Sequence, residues 1–290
     1  MEGFIIKKDE KTGHWGCVDA DGNLRIPFEY NYLEIKNIGG KKFFEASKES
    51  RLYVFELNGK PIIPVEYECK CVCGFYTKEK ALYIVSKDEG RFFGVIDSNG
   101  ETIIDLKYDG VIGYNENNEK LFFVVVNKDG KIGVMDKNGK EILPNEYDDM
   151  DYLMKISNGT NVYGLLVQKN NKWGLCDLNG KFIVEMEYDW MVKIPDEFLI
   201  EVEKNNKFGI INKNGEIVLH CVYNHIEYGL KNKELAFFLV KDDNYWILFD
   251  KNGEKIYSSR WSKGSQLKSS GKRYFEIEND KIGYNFYEEF

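Results

Sequence analysis

Asn171-Lys-Trp-Gly-Leu-Cys-Asp-Leu-Asn-Gly-Lys-Phe-Ile-Val-Glu-Met-Glu-Tyr-Asp189 reads as a β-hairpin. An aromatic and a glycine open a short apolar strand that ends at Asp177, Asn179-Gly180 turns the chain, and a second apolar strand runs down to Tyr188-Asp189. Asn-Gly between two apolar runs is a strong short-range hairpin signal. The turn needs φ above zero, either at both central positions of a primed turn or at the last position of a bulged one. Asp177, three residues before the turn glycine, suits hydrogen bonding to the turn backbone, which is a local task.

The rest of the chain is largely imperfect copies of this stretch. The turn glycine recurs as Gly22, Gly59, Gly100, Gly139, Gly180, Gly215 and Gly253, at separations of 37, 41, 39, 41, 35 and 38 residues, a spacing that marks a repeat architecture. Eight residues after each comes Tyr30, Tyr67, Tyr108, Tyr147, Tyr188, Tyr223 and, in the seventh copy, Trp261. Seven residues before each stands Trp15, Leu52, Phe93, Ile132, Trp173, Phe208 or Trp246, followed by glycine in all copies but the second and seventh. From the Trp position to the Tyr position is sixteen residues throughout, so the variation in period falls in the connections.

Another apolar run precedes each Trp position, for example Phe122-Phe-Val-Val-Val126 and Phe198-Leu-Ile-Glu-Val202, and predicts a third strand antiparallel to the Trp-Gly strand. The connection before it, 9 to 15 residues of mixed character, has room for a short fourth strand. Three to four strands per repeat predict an all-β chain, a tandem array of about seven β-hairpin/meander repeats forming either a β-propeller-like ring or an open β-solenoid spiral. Residues 1–290 read as one domain without a linker, with a partial eighth repeat at 274–290.

The combination of aromatic-Gly, Asp, Asn-Gly and Tyr-Asp at fixed offsets resembles the WG repeat family, named for the dipeptide that stands here as Trp15-Gly16 and Trp173-Gly174. The resemblance covers nearly the whole chain. It implies a β-rich scaffold of the kind found mostly in bacteria, and it carries over no catalytic residue.

Composition narrows the function classes. A net charge of −8 and a pI near 5.2 oppose direct nucleic-acid binding, which needs a basic footprint. No run of 18 apolar residues suggests a membrane span, and the apolar start Phe4-Ile-Ile6 is too short for a signal peptide, so a cytoplasmic location is expected. Cys17, Cys69, Cys71, Cys73, Cys176 and Cys221 do not recur at one repeat position as a disulfide framework would, and read as reduced thiols. Cys69-Lys-Cys-Val-Cys73 lacks the two-residue spacing and the partner histidine of a zinc site, so no metal and no cofactor is expected.

No phosphate loop, serine elbow or nucleophile with a base is present, and His14, His220 and His225 fall at unrelated offsets. The sequence therefore reads as a non-enzymatic scaffold, monomeric by itself, that presents its variable connections to a protein partner. Its acidity favours a partner with a basic site, such as a nucleic-acid enzyme or toxin held inhibited, because acidic surfaces steer towards basic clefts. Trp190, Met191, Tyr228 and Trp261 are the expected contact residues, being large and placed in or beside connections. The alternative is a carbohydrate-active hydrolase with carboxylates at a propeller centre, which requires acids in one or two repeats that depart from the repeat pattern.

Overall fold

The computed structural model describes residues 3–64, 66–67, 75–87, 90–116, 120–155, 161–194, 198–231, 234–242 and 245–260. Cys69, Cys71, Cys73, Trp261 and the partial repeat at 274–290 lie outside the described residues. Those residues form twenty-six strands in seven antiparallel sheets and contain no helix, and so none long and apolar enough to cross a membrane. The chain divides into two compact units, 1–147 and 148–290. Sheet one (Phe4–Lys8, Trp15–Asp19, Leu24–Tyr30), sheet two (Tyr32–Ile38, Lys41–Lys48, Arg51–Phe55), sheet three (Phe75–Tyr76, Ala81–Lys87, Phe92–Asp97, Thr102–Tyr108) and sheet four (Gly110–Glu116, Lys120–Val126, Ile132–Asp136, Glu141–Tyr147) belong to the first, and sheets five to seven to the second.

The hairpin of the repeat forms as the spacing predicts. Trp15 pairs with Tyr30, Phe93 with Tyr108, Ile132 with Tyr147, Trp173 with Tyr188 and Phe208 with Tyr223, which accounts for the constant sixteen residues. The turn is the bulged type. At Asp177-Leu-Asn-Gly180 the Gly180 amide donates to the Asp177 carbonyl (3.1 Å), while the Asp177 carboxylate accepts from the amides of Asn179 (2.8 Å) and Lys181 (2.9 Å). Asp19, Asp97, Asp136, Asn212 and Asp250 do the same at their own turns, so the recurring polar residue holds a turn in place and is committed there. The Trp-Gly glycine has a different reason. Between the pairs Trp173–Tyr188 and Leu175–Val184 the outer strand bulges by two residues, and a Cβ on Gly174 would stand 2.8 Å from the Val184 carbonyl oxygen.

The connections are more ordered than their sequence suggests, and they shift the boundary of the structural unit by one strand. One residue after the Tyr, the chain leaves its sheet and begins the next. The amides of Asn31, Asp109, Asp148, Asp189 and Asn224 already donate to the second strand of the following sheet, at Ser47, Val126, Gln168, Glu203 and Lys241. Sheet six is typical: Trp190–Lys193, Leu199–Lys204, Lys207–Asn212 and Ile217–Tyr223, in that order. Sheet five runs Asp149–Lys155, Asn161–Lys169, Lys172–Cys176 and Phe182–Tyr188, and sheet seven His225–Lys231, Glu234–Asp242, Tyr245–Asp250 and Lys255–Arg260. The two-residue primed turns lie elsewhere, between second and third strands, at Asn170-Asn171 and Asn205-Asn206, where both residues have positive φ.

The core is a series of apolar layers between consecutive sheets. Alternation along each strand divides its side chains between the two faces. In sheet six, Met191, Ile200, Val202 and Ile211 pack with Leu153, Leu166 and Leu175 of sheet five. Ile194, Ile210 and Leu219 face the other way and pack with Ile226, Phe238 and Val240 of sheet seven. The same layering joins sheet two to sheet three through Phe43, Val54, Tyr83 and Val85, and sheet three to sheet four through Ile84, Val95, Phe123 and Val125.

Candidate functional site

Repetition makes departures visible. At the middle of each second strand, one side chain stands opposite the residue five before the turn glycine. It is Ile6, Ile84, Val124, Leu166 and Leu239 in five of the sheets. In sheet two it is Glu45 and in sheet six Glu201. A carboxyl at a position that is otherwise aliphatic is costly to bury unless it is paired, so these two positions call for an explanation other than packing.

Glu45 is fully partnered. It is 2 % exposed and accepts from the Tyr76 hydroxyl at 2.8 and 3.0 Å and from the Tyr83 hydroxyl at 2.5 Å, both tyrosines belonging to sheet three. The Lys36 ammonium lies 3.9 Å from Glu45 Oε2, 5.1 Å from the centre of the Tyr76 ring, and in contact with Glu34, the residue directly across the ladder from Glu45. Tyr32 stands half-exposed at the mouth of this cluster, its hydroxyl pKa raised by burial and then by the Glu45 charge. Tyr83→Phe is expected to destabilise the unit 1–147 by about 1 to 3 kcal/mol in chemical denaturation, because it removes a donor from a buried carboxylate. An unchanged midpoint would mean that Tyr76 and Lys36 suffice.

Glu201 stands in the corresponding place of sheet six without the corresponding partners. Across the ladder from it is Val192 where Glu34 stands in sheet two, and Ile194 takes the place of Lys36. Ile194 is 2 % exposed and its amide donates to the Leu199 carbonyl (2.9 Å). Among the described residues neither Glu201 nor its strand neighbour Glu203 makes an ion pair or a side-chain hydrogen bond. Burial pushes the Glu201 carboxyl up to about 7. Tyr228 of sheet seven feels that charge, its hydroxyl being raised first by burial and then by Glu201.

The expected contact residues separate by face. Trp190 pairs with Glu203, lies edge-on to Phe208 at 6.5 Å, points towards sheet seven on the same face as Glu201, and is 38 % exposed. Tyr228 pairs with Phe238, faces back towards sheet six and is also 38 % exposed. Met191 is not at the surface. It is one residue out of phase with Trp190 and is buried against sheet five, in the place held by Leu33, Val111 and Ile226 in other sheets, so its side chain is a core element and no contact for a partner. Trp190, Tyr228 and Glu201 therefore converge at the junction of sheets six and seven.

Two further features are local. A cavity of about 430 Å³ beside Gly3, Phe4 and Asn58 includes Asp19, whose carboxylate is already engaged by Asn23 and by Arg25 at 2.8 Å. Cys17 and Cys176 are buried free thiols, that of Cys176 raised to about 12 by burial. No group of three or more metal-ligating side chains occurs among the described residues.

The family described as "WG containing repeat" matches residues 15–35, 93–131, 132–173, 173–208 and 208–246. No curated protein matches the sequence. Solved structures that align along most of the chain include BBS1N in complex with ARL6DN, at 13 % identity, TM-score 0.27, over 90 % of this chain and 88 % of that one. A KlHsv2 variant with loop 6CD replaced by a Gly-Ser linker aligns at 10 % identity, TM-score 0.32, over 89 % and 94 %. The dihydro-heme d1 dehydrogenase NirN aligns at 13 % identity, TM-score 0.28, over 88 % and 72 %. Likeness at that level says nothing about what this chain does.

Proposed function

The chain belongs to the WG-repeat family, and from that premise we propose that it is a non-enzymatic scaffold that binds a macromolecular partner, a protein, through the junction of sheets six and seven. The observation that supports this reading is the joint exposure of Trp190 and Tyr228 beside Glu201 and Glu203, in a repeat that fills the Glu201 position with an aliphatic side chain in five of the seven sheets. Tryptophan and tyrosine with an apolar body and a polar handle are favoured at interface anchors. The acidic surroundings and the net charge of −8 favour a partner with a basic site, and blocking the basic cleft of a nucleic-acid enzyme or toxin is the role such a binder fills.

Affinity purification from the native host tests this. One stoichiometric partner is expected, weakened by salt, and bound at least tenfold more weakly after Trp190→Ala with Tyr228→Ala, a loss of about 1.4 kcal/mol or more. A partner indifferent to both substitutions would place the interface elsewhere. The hydrolase reading draws on the opposed carboxylates Glu34 and Glu45 in sheet two. Turnover of a glycan library that disappears with Glu45→Gln, together with no partner, would replace the scaffold by an enzyme.

A further inference from the structure

Sheets two and six carry the same departure from the repeat, and in sheet two the chain itself shows what that departure accommodates. There the Lys36 ammonium contacts Glu34, lies 3.9 Å from the Glu45 carboxylate and stands over the ring of Tyr76, ion pairing combined with a cation–π contact. Each of these residues can be matched to sheet six by ladder register. Tyr32 corresponds to Trp190, Glu34 to Val192, Lys36 to Ile194 and Glu45 to Glu201. Tyr83 corresponds to Phe238, and the phenol lost there is offered by its cross-strand neighbour Tyr228. The junction of sheets six and seven has thus kept one carboxylate, an aromatic at the Tyr32 position and a phenol, and has exchanged the lysine for an isoleucine and Glu34 for a valine.

We propose that Glu201, flanked by the rings of Trp190 and Tyr228, receives the side-chain ammonium of a lysine on the partner protein, in the way Glu45 receives Lys36 within the chain. This rests on the binding reading above and names the group that the partner brings. A primary ammonium fits better than a guanidinium. The internal precedent is a lysine, whereas the two-pronged fork of arginine, which a carboxylate matches equally well in geometry, has no counterpart at Glu45 in sheet two. A metal ion fits worse still, since one carboxylate among apolar neighbours leaves most of its coordination unfilled. Glu201 is half-buried while Trp190 and Tyr228 are each 38 % exposed, and Glu203, across the ladder from Trp190, adds a second negative charge. The raised pKa of Glu201 accords with a carboxyl whose counter-charge comes from outside the chain, because a paired ammonium would favour the ionised form.

The test is a titration of the full chain with Nα-acetyl-lysine amide, followed by the indole N–H resonance of Trp190 and assigned with Trp190→Phe. A saturable shift is expected, absent with Nα-acetyl-norleucine amide and weakened at least tenfold by Glu201→Gln. Binding should tighten about tenfold between pH 6 and pH 8 as the carboxyl ionises, while the lysine stays charged. Ile194→Lys, which places a lysine where sheet two has Lys36, should abolish the shift; should that variant fail to fold, Glu201→Gln and the pH dependence decide alone. A response to lysine amide that persists in Glu201→Gln, or an equal response to norleucine amide, overturns the proposal, as does no response at all. The two readings fail separately. A captured partner that depends on Trp190 but is indifferent to Glu201→Gln removes the ammonium site and leaves the scaffold, whereas lysine amide binding with no captured partner does the reverse.

Discussion

Valine in place of Gly139 is expected to destabilise the unit 1–147 by about 2 to 5 kcal/mol, seen as a lower midpoint in urea. Two penalties add. Gly139 has φ of +78°, where a β-branched side chain is strained, and a Cβ there would sit 2.0 Å from the backbone oxygen of Ile103. Ile103 lies three residues past the turn glycine of the preceding sheet, and that relation recurs. Gly59 meets the Arg25 carbonyl and Gly253 the Val218 carbonyl in the same manner. At these positions the turn glycine is thus also a point where one sheet touches the one before it. Gly22, at φ +85° with nothing within 4 Å of its Cβ position, separates the two effects. Gly22→Val should show the backbone strain alone, about 1 to 2 kcal/mol. Equal losses at the two sites would mean that the contact with Ile103 yields without resistance.

Leucine in place of Glu201 is expected to raise the stability of the unit 148–290, and to do so more at pH 8 than at pH 5. Below its ordinary value of 4.5 the carboxyl is protonated in folded and unfolded chains alike and favours neither. Between 4.5 and about 7 the unfolded chain releases the proton while the folded chain holds it, so stability falls as pH rises through that window and stays lower above it. The full shift corresponds to at most about 3 kcal/mol, and water contact at a partly exposed carboxyl reduces this to about 1 to 2 kcal/mol. The groups around it do not offset the loss. Val192 and Ile210 across the ladders carry no charge, Tyr228 is neutral in this range, Glu203 is of like sign, and His225 pairs with Glu227 at 3.3 Å on the alternate positions of its strand. Urea unfolding at pH 5 and pH 8 gives the answer. The same pH dependence in wild type and Glu201→Leu would sink the assignment of that slope to Glu201. Such a loss of stability, at a position where five other sheets place an aliphatic, would accord with the proposed role of Glu201 in binding.

Much of this was legible in the sequence because the hairpin is built from local rules. The aromatic pairing across it, the bulged Asn-Gly turn and the polar residue that bonds the turn amides all follow from fixed offsets around Gly180 and its equivalents. The division into sheets was not legible. Its marker is the single Asp or Asn after the Tyr, which resembles a strand-ending turn residue, whereas its amide already belongs to the following ladder. Glu201 was hidden for a related reason. The turn between second and third strands is two residues long at Asn205-Asn206 and longer at residues 127–131, so no constant spacing from the glycine leads back to the second strand. Its one trace is the acid inside the apolar run Phe198-Leu-Ile-Glu-Val202. Met191 looked like a surface residue because it adjoins Trp190, but adjacent residues on a strand point to opposite faces.

The passage from sheet to sheet at one residue also determines where the gene can be cut. Among the described residues every strand pairs with one close to it in the chain, and no ladder is shared by two sheets. A stretch running from just after Asp189 to Asn224 is therefore a complete sheet together with its own exit, and it packs between sheets five and seven. Copying or losing such a stretch lengthens or shortens the array by one member without dividing a hydrogen-bonded strand pair. Unequal crossing-over at the codons for these Asp and Asn residues supplies a direct route by which arrays of different length arise from one ancestral unit.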